Sequence, residues 1–135
     1  MSEEKKPSES EVVLDSSALL ALINDEPGAE RVKTVVRRSA ISSVNLSEVV
    51  AKLCQDNFSA IEIKGLLENL PFQIIDFTAE QAVQAGLLQP DTKFAGLSLG
   101  DRACLVLARQ LALPAMTTDR NWARLSLGIH ILMVR

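Results

Sequence analysis

The sequence predicts an α/β protein with a mainly parallel β-sheet flanked by helices in three layers. Short apolar runs of strand type alternate with amphipathic helical segments after the first eleven residues. The dipeptides that favour tight antiparallel hairpins, Asn-Gly and Asp-Gly, do not occur. The chain has 135 residues, of which 47% are hydrophobic, which suffices for one domain with a buried core. We therefore expect a polar flexible tail over residues 1–11 and a single domain over residues 12–135.

The pattern of apolar residues justifies each element in turn. The first strand is apolar up to its terminal acid, and the helix after it ends at the turn sequence Glu-Pro-Gly. The helix through 46–54 has an apolar face at the spacing i, i+3, i+4, i+7, i+8, and the helix 99–111 is apolar almost all round, which predicts burial. The predicted elements are strand 12–15, helix 16–23, helix 29–38, strand 40–42, helix 46–54, helix 59–69, strand 72–77, helix 78–88, a loop with Pro90 and Gly96, helix 99–111, strand 114–119, short helix 120–125 and strand 129–134.

Four acidic residues lie at junctions where a strand is followed by a helix: Asp15, Glu48, Asp101 and Asp119. In a parallel α/β sheet these junctions share one edge, so we expect the four carboxylates to converge. At about 5 Å and an effective dielectric constant near 20, each pair would repel by about 3 kcal/mol. Such a cluster must recruit cations or protons, and its hard oxygen ligands favour Mg²⁺ or Mn²⁺.

Each acid also has a structural explanation, and the sequence leaves both open. Asn45 and Glu48 have capping-box spacing, as do Ser98 and Asp101. The remaining two acids could each cap the helix that follows, where the helix dipole favours a negative charge.

Composition excludes several other classes of protein. No phosphate-binding glycine loop is present, and the presence of a single histidine, His130, argues against a histidine triad or a zinc site. The net charge of −3 argues mildly against a nucleic-acid binder. Cys54 and Cys104 lie on apolar helical faces, and we expect buried free thiols, as suits a cytoplasmic protein. No apolar stretch is long enough to span a membrane.

From residue 12 onward the chain resembles a PIN domain, and more narrowly a VapC-type toxin ribonuclease. The resemblance lies in the segments VVLDSSALLALINDEPGAERV, AISSVNLSEVVAKL, GLSLGDRACLVLARQL and PAMTTDRNWARL. It implies that Asp15, Glu48, Asp101 and Asp119 are catalytic and bind the metal, and that Ser17 and Thr117 support the site. It also implies Mg²⁺- or Mn²⁺-dependent cleavage of RNA, a homodimer, and a VapB-type antitoxin as partner.

Arg102 and Arg120 each directly follow a candidate acid. They could contact an RNA phosphate, although pairing with the neighbouring carboxylates explains them equally well. Two alternatives to a nuclease also remain. A non-catalytic PIN-like binding module need not keep a repulsive acid cluster, and a haloacid-dehalogenase-like phosphatase needs a second Asp where this chain has Ser17.

Overall fold

Five short parallel strands form the sheet, in the order β3-β2-β1-β4-β5. The strands are β1 (Val12–Leu14), β2 (Ser39–Ser42), β3 (Gln73–Ile75), β4 (Ala115–Thr117) and β5 (Ile131–Met133). The structure is a computed structural model, and it describes residues 9–135. All pairings between neighbouring strands are parallel, so the carboxyl ends of the strands share one edge of the sheet. The predicted parallel sheet is confirmed.

Within residues 9–135, seven α-helices connect the strands. They are α1 (Ser16–Ile23), α2 (Ala29–Val35), α3 (Ser43–Gln55), α4 (Ala60–Glu68), α5 (Ala79–Leu87), α6 (Gln89–Thr92) and α7 (Leu99–Leu111). Short 3₁₀ turns cover Val36–Arg38, Lys93–Ala95 and Arg120–Arg124. In the described part of the chain no helix combines the length and the apolar character that a membrane crossing requires.

The alternation of side chains along β1 divides the core between the two faces of the sheet. Val13 packs with residues of α5 and α7, whereas Val12 and Leu14 pack with residues of α1 and α2. A further cluster joins Ile41 of β2 to apolar residues of α1, α3 and α4. Because both faces of the sheet are covered at its centre, β1 is apolar along its whole length. The predicted three-layer arrangement is confirmed.

The long helix α7 is buried as its composition predicts. Seven of its residues are buried, in an unbroken run from 103 to 108 together with Gly100. Trp122 is fully buried and joins the same core, so it is a packing anchor, as its place in a short amphipathic segment indicates.

Two predictions about local structure and burial are wrong. The predicted loop after α5 instead contains α6 and a 3₁₀ turn, because Pro90 lies at the helix start, where its missing N–H is harmless. The short helix predicted after β4 is confirmed, and it is a 3₁₀ turn over Arg120–Arg124. Cys54 is exposed rather than buried, whereas Cys104 is buried; neither forms a disulfide.

Two residues of the predicted tail, Ser10 and Glu11, contact the domain. Ser10 is buried, and the backbone N–H of Glu11 donates to the carbonyl of Arg38 at 2.7 Å. A salt bridge of 2.8 Å joins the same two residues through their side chains. Residues 1–8 of the predicted tail lie outside the described residues.

Candidate functional site

Two of the four candidate acids follow neighbouring strands of the sheet. Asp15 comes directly after β1, and Asp119 comes two residues after β4, which pairs with β1. The other two lie near the start of helices that pack on each other: Glu48 is in the second turn of α3, and Asp101 is in the first turn of α7. His130 precedes β5, at the opposite edge of the sheet.

Asp15 is buried, and both oxygens of its carboxylate accept hydrogen bonds. Oδ1 accepts from the backbone N–H of Ala18 at 2.8 Å, which caps α1, and from the Ser17 hydroxyl at 2.7 Å. Oδ2 accepts from the Thr117 hydroxyl at 2.5 Å. Burial raises the pKa of Asp15 to about 6, although these hydrogen bonds lower it. The site therefore holds this carboxylate in one orientation while opposing its charge.

The same two hydroxyls connect Asp15 to the segment that carries Asp119. Thr117 Oγ1 accepts from the backbone N–H of Asp119, and Ser17 Oγ accepts from that of Thr118, both at 3.0 Å. Asp119 Oδ1 in turn accepts from the N–H of Asn121 at 2.9 Å and caps the 3₁₀ turn. Ser17 and Thr117 thus fix the relative position of two candidate acids that are about a hundred residues apart in sequence.

Asp101 belongs to a complete capping box at the start of α7. Its Oδ2 accepts from the N–H of Ser98 at 2.9 Å, and Ser98 Oγ accepts from the N–H of Asp101 at 3.2 Å. Burial raises the pKa of Asp101, and the negative charges of Glu48 and Asp119 raise it further. A capping role and membership of an acidic cluster are therefore compatible in one side chain.

Glu48 caps no helix. The cap of α3 is Ser42, whose hydroxyl accepts from the N–H of Val44 at 3.2 Å, so the capping box expected of Asn45 and Glu48 is wrong. Glu48 Oε1 instead accepts from Nδ2 of Asn45 at 2.9 Å. Among the four acids, Glu48 alone has no part in starting a helix.

The charges of the four acids act on one another. The charge of Asp101 adds to the raised pKa of Asp15, and Asp101 itself is affected by Glu48 and Asp119. Burial raises the pKa of the Cys104 thiol well above its ordinary value, and the charges of three of these acids add to that effect. Asp101 thus lies close enough to each of the other three acids for their charges to interact.

The donor set suits a hard divalent cation chemically. Asp101, Glu48 and Asp119 each use one oxygen in a hydrogen bond, and among the described residues their other oxygen has no protein donor. Carboxylate oxygens are the ligands that Mg²⁺ and Mn²⁺ prefer. Within residues 9–135, however, no three acidic, histidine or cysteine side chains are already arranged to hold one ion. Cation binding would therefore have to draw the carboxylates closer together than they stand.

The two arginines beside the acids differ in their surroundings. The Arg102 guanidinium donates to the carbonyls of Ala85 at 3.1 Å and Ser98 at 3.4 Å, which connects α7 to α5. Arg120 is exposed. Neither forms a salt bridge with a carboxylate among the described residues. Arg102 therefore has a structural role, whereas Arg120 is free to contact a ligand.

Sequence reasoning misinterpreted one contact of Glu48, with Asn45, and missed another, with Gly100. Asn45 is buried and donates to both Glu48 and the carbonyl of Gly100. Gly100 has no Cβ, and one added there would collide with the Glu48 carboxylate. A signal was present for Asn45, because it continues at i, i+4 and i+8 the buried stripe of Val49 and Leu53. Nothing in the sequence marks Gly100 as a contact of Glu48.

The chain is thus a three-layer α/β domain with a parallel sheet and an acidic cluster at the carboxyl edge of that sheet. The sequence model of the PIN domain family matches residues 12–127, and the chain belongs to that family. No curated protein sequence matches the chain.

Solved structures share the fold over nearly the whole chain. A chain of the DNA-bound VapBC complex from Salmonella typhimurium superposes with a TM-score of 0.70 at 19% identity, covering 93% of this chain and 99% of that chain. A toxin–antitoxin complex from Klebsiella pneumoniae gives 0.70 at 20% identity, with 92% and 98% covered. FitAcB from Neisseria gonorrhoeae gives 0.66 at 15% identity, with 91% and 97% covered. At these identities the likeness shows the fold.

Proposed function

We propose that the protein is a Mg²⁺- or Mn²⁺-dependent endoribonuclease and the toxin of a toxin–antitoxin pair. The observation that carries the proposal is the set of three carboxylates, each held by one oxygen and open at the other, beside the buried Asp15. When bound, a divalent cation polarises a phosphodiester and lowers the pKa of an attacking water. Folding alone gives no reason to place Glu48 beside Asp101, since the two charges repel.

Four acidic residues would bind the cation, and neighbouring residues orient their carboxylates. Asp15 is the rigid member of the set, because Ala18, Ser17 and Thr117 fix both of its oxygens. Asp119 is held in register with it through Thr117. Asp101 and Glu48 supply the remaining ligands from α7 and α3. Exposed Arg120, next to Asp119, would neutralise charge on an RNA phosphate.

The proposed partner is a VapB-type antitoxin, and the proposed assembly is a homodimer in the cytoplasm. Toxin–antitoxin complexes among the structures of the same fold support the first part. Two exposed large apolar side chains, Val83 and Leu87, lie four residues apart on one face of α5, and contiguous apolar surface of this kind supports association with a partner. Light scattering over a concentration series should show a dimer, and a mass that stays monomeric up to high micromolar concentrations would contradict this part.

The activity is tested by incubating structured RNAs with the purified protein in Mg²⁺, in Mn²⁺ and in EDTA. We expect cleavage with either metal and none in EDTA, and no cleavage of DNA of the same sequence. Glu48→Gln should abolish cleavage without loss of stability, because Glu48 caps no helix. The matched control is Glu68→Gln, at an exposed position in α4. Cleavage that persists in EDTA, or that survives Glu48→Gln, would contradict the proposal.

A non-catalytic binding module is the alternative function. It predicts partner association that is indifferent to Glu48→Gln and to metal, with no RNA cleavage under any condition. The repulsion around Asp101 argues against it, because a binding surface elsewhere on the domain needs no such cluster.

A further inference from the structure

Asn45 is a polar residue in a place where an apolar one would be expected. It is 1% exposed, and with Val49 and Leu53 it forms the buried stripe of α3. Its Oδ1 is buried and has no hydrogen-bond partner among the described residues. A leucine or valine would continue the stripe and leave no orphaned acceptor. The position therefore calls for an explanation beyond packing.

The amide nitrogen of Asn45 supplies that explanation. Nδ2 donates to Glu48 Oε1 and to the carbonyl of Gly100, each at 2.9 Å. Both partners are acceptors. A flipped amide would place Asn45 Oδ1 against the oxygens of Glu48 and Gly100, with no hydrogen to bond them, so the orientation of the amide is fixed. One side chain thus joins the Glu48 carboxylate on α3 to the first turn of α7, which carries Asp101.

Gly100 completes the contact from the other side. The Glu48 carboxylate lies directly against its Cα, in space that any side chain would fill. The backbone of Gly100 does not require glycine, because it lies outside the positive-φ region. The absence of a Cβ matters here for the approach of Glu48 and not for the path of the chain.

We propose that Asn45 and Gly100 are positioning residues that hold the Glu48 carboxylate against the start of α7, next to Asp101, for binding of a divalent cation. This inference rests on the proposed function, because it assigns Glu48 to the metal-binding set. Removal of a partner that orients a metal ligand lowers metal affinity or activity by about 10- to 100-fold. The competing explanation is that Asn45 merely fastens α3 to α7.

Gly100→Ala separates the two explanations. Alanine favours a helix over glycine, and the atoms that its Cβ would meet are the far end of a flexible side chain. We expect an unchanged or raised Tm in EDTA, together with about 10- to 100-fold weaker Mn²⁺ binding by calorimetry and a matching loss of RNA cleavage. Gly65→Ala is the matched control, since a Cβ there contacts nothing within 4 Å. It should raise the Tm and leave Mn²⁺ affinity unchanged.

Asn45→Ala provides the second test, through a double-mutant cycle with Glu48→Ala. If Asn45 acts through Glu48, it should weaken Mn²⁺ binding in the wild-type background and add nothing once Glu48 is gone. A helix-fastening role predicts a lower Tm in both backgrounds and unaltered Mn²⁺ affinity. The comparison of backgrounds keeps the test valid even where Asn45→Ala also lowers stability.

The outcomes distinguish this inference from the function on which it rests. Wild-type Mn²⁺ binding that is weakened in Glu48→Ala, but unchanged in Gly100→Ala and Asn45→Ala, overturns the positioning role and leaves the nuclease proposal standing. No Mn²⁺ binding by the wild type, or binding that Glu48→Ala does not change, overturns both. Weakened binding in both positioning variants, with Gly65→Ala unchanged, supports the inference.

Discussion

Replacing Asp15 by asparagine should stabilise the metal-free protein at neutral pH while abolishing metal binding. Burial raises the pKa of Asp15 from its ordinary value of 3.8 to about 6. A change in pKa of about 2 corresponds to about 3 kcal/mol. Asparagine resembles the protonated carboxyl in shape, and it caps helices as well as aspartate does. The variant should therefore gain up to about 3 kcal/mol in free energy of unfolding at pH 7.

The sign of the pH dependence follows from the two protonation states. Below pH 4 the carboxyl is protonated in folded and unfolded chains alike, and its burial carries no electrostatic penalty. Between pH 4 and pH 6 the folded chain retains the proton that the unfolded chain has released, so the stability that this group contributes falls as the pH rises. The advantage of Asp15→Asn should therefore grow from near zero at pH 4 to its full size above pH 6.

Urea unfolding in EDTA at pH 4, 5, 6 and 7 measures this advantage directly. Asp76→Asn is the matched control, because Asp76 is an exposed acid at another strand-to-helix junction. It should show no comparable gain. Adding Mg²⁺ should raise the stability of the wild type and not that of Asp15→Asn. If Asp15→Asn is destabilised equally at pH 4 and pH 7, Asp15 contributes to stability through its hydrogen bonds alone, and burial of its charge does not destabilise the folded protein.

Three further substitutions test the surroundings of the acids. Thr117→Val removes a donor to Asp15 and an acceptor for the Asp119 N–H, so the pKa of Asp15 should rise further. RNA cleavage should then fall more at pH 6 than at pH 8. The control Thr34→Val, remote on α2, should leave this pH profile unchanged. Arg120→Gln should weaken RNA binding and reduce the slope of log affinity against log salt concentration by about one phosphate contact. Arg37→Gln, at another exposed position, is the control, and equal slopes for the two variants would contradict a contact between Arg120 and RNA. Asp101→Asn should lose Mn²⁺ binding. Its free energy of unfolding in EDTA should stay within about 1 kcal/mol of the wild-type value, because relief of charge repulsion opposes the weaker capping box. Retained RNA cleavage would exclude Asp101 as a metal ligand.

The fold could be predicted because its signals are local and repeated. The apolar strand ending in Asp15 and the all-round apolar helix α7 determine which elements are buried, and the alternation of strands with helices determines the parallel sheet. The segment after α5 was mispredicted because Pro90 breaks a helix interior but favours a helix start. Exposure of Cys54 depended on which neighbours cover the end of α3, which periodicity does not encode.

The contacts around the acids were harder to predict from the sequence than the fold, because they join segments that are far apart in the chain. The bond from Thr117 to Asp15 spans 102 positions, and that from Asn45 to the carbonyl of Gly100 spans 55. A short polar residue near a helix start looks like a cap in sequence, and Asn45 was assigned to a capping box for that reason. Only the position of Ser42 as the actual cap shows that Asn45 lies inside the helix, facing α7.

Helix capping and metal chemistry are not competing explanations for these acids, because a cap uses one oxygen of a carboxylate. Asp101 and Asp119 each satisfy a helix or turn start through one oxygen and leave the other without a protein donor. The capping bond restricts the side chain, so its free oxygen has less freedom to lose when a cation draws the carboxylates together. Glu48 lacks such a bond to its own helix start and is held by Asn45 instead. The acid that capping does not explain is therefore the one whose orientation depends on a separate, buried side chain, and Glu48 is where loss of function can be measured with the least disturbance to the fold.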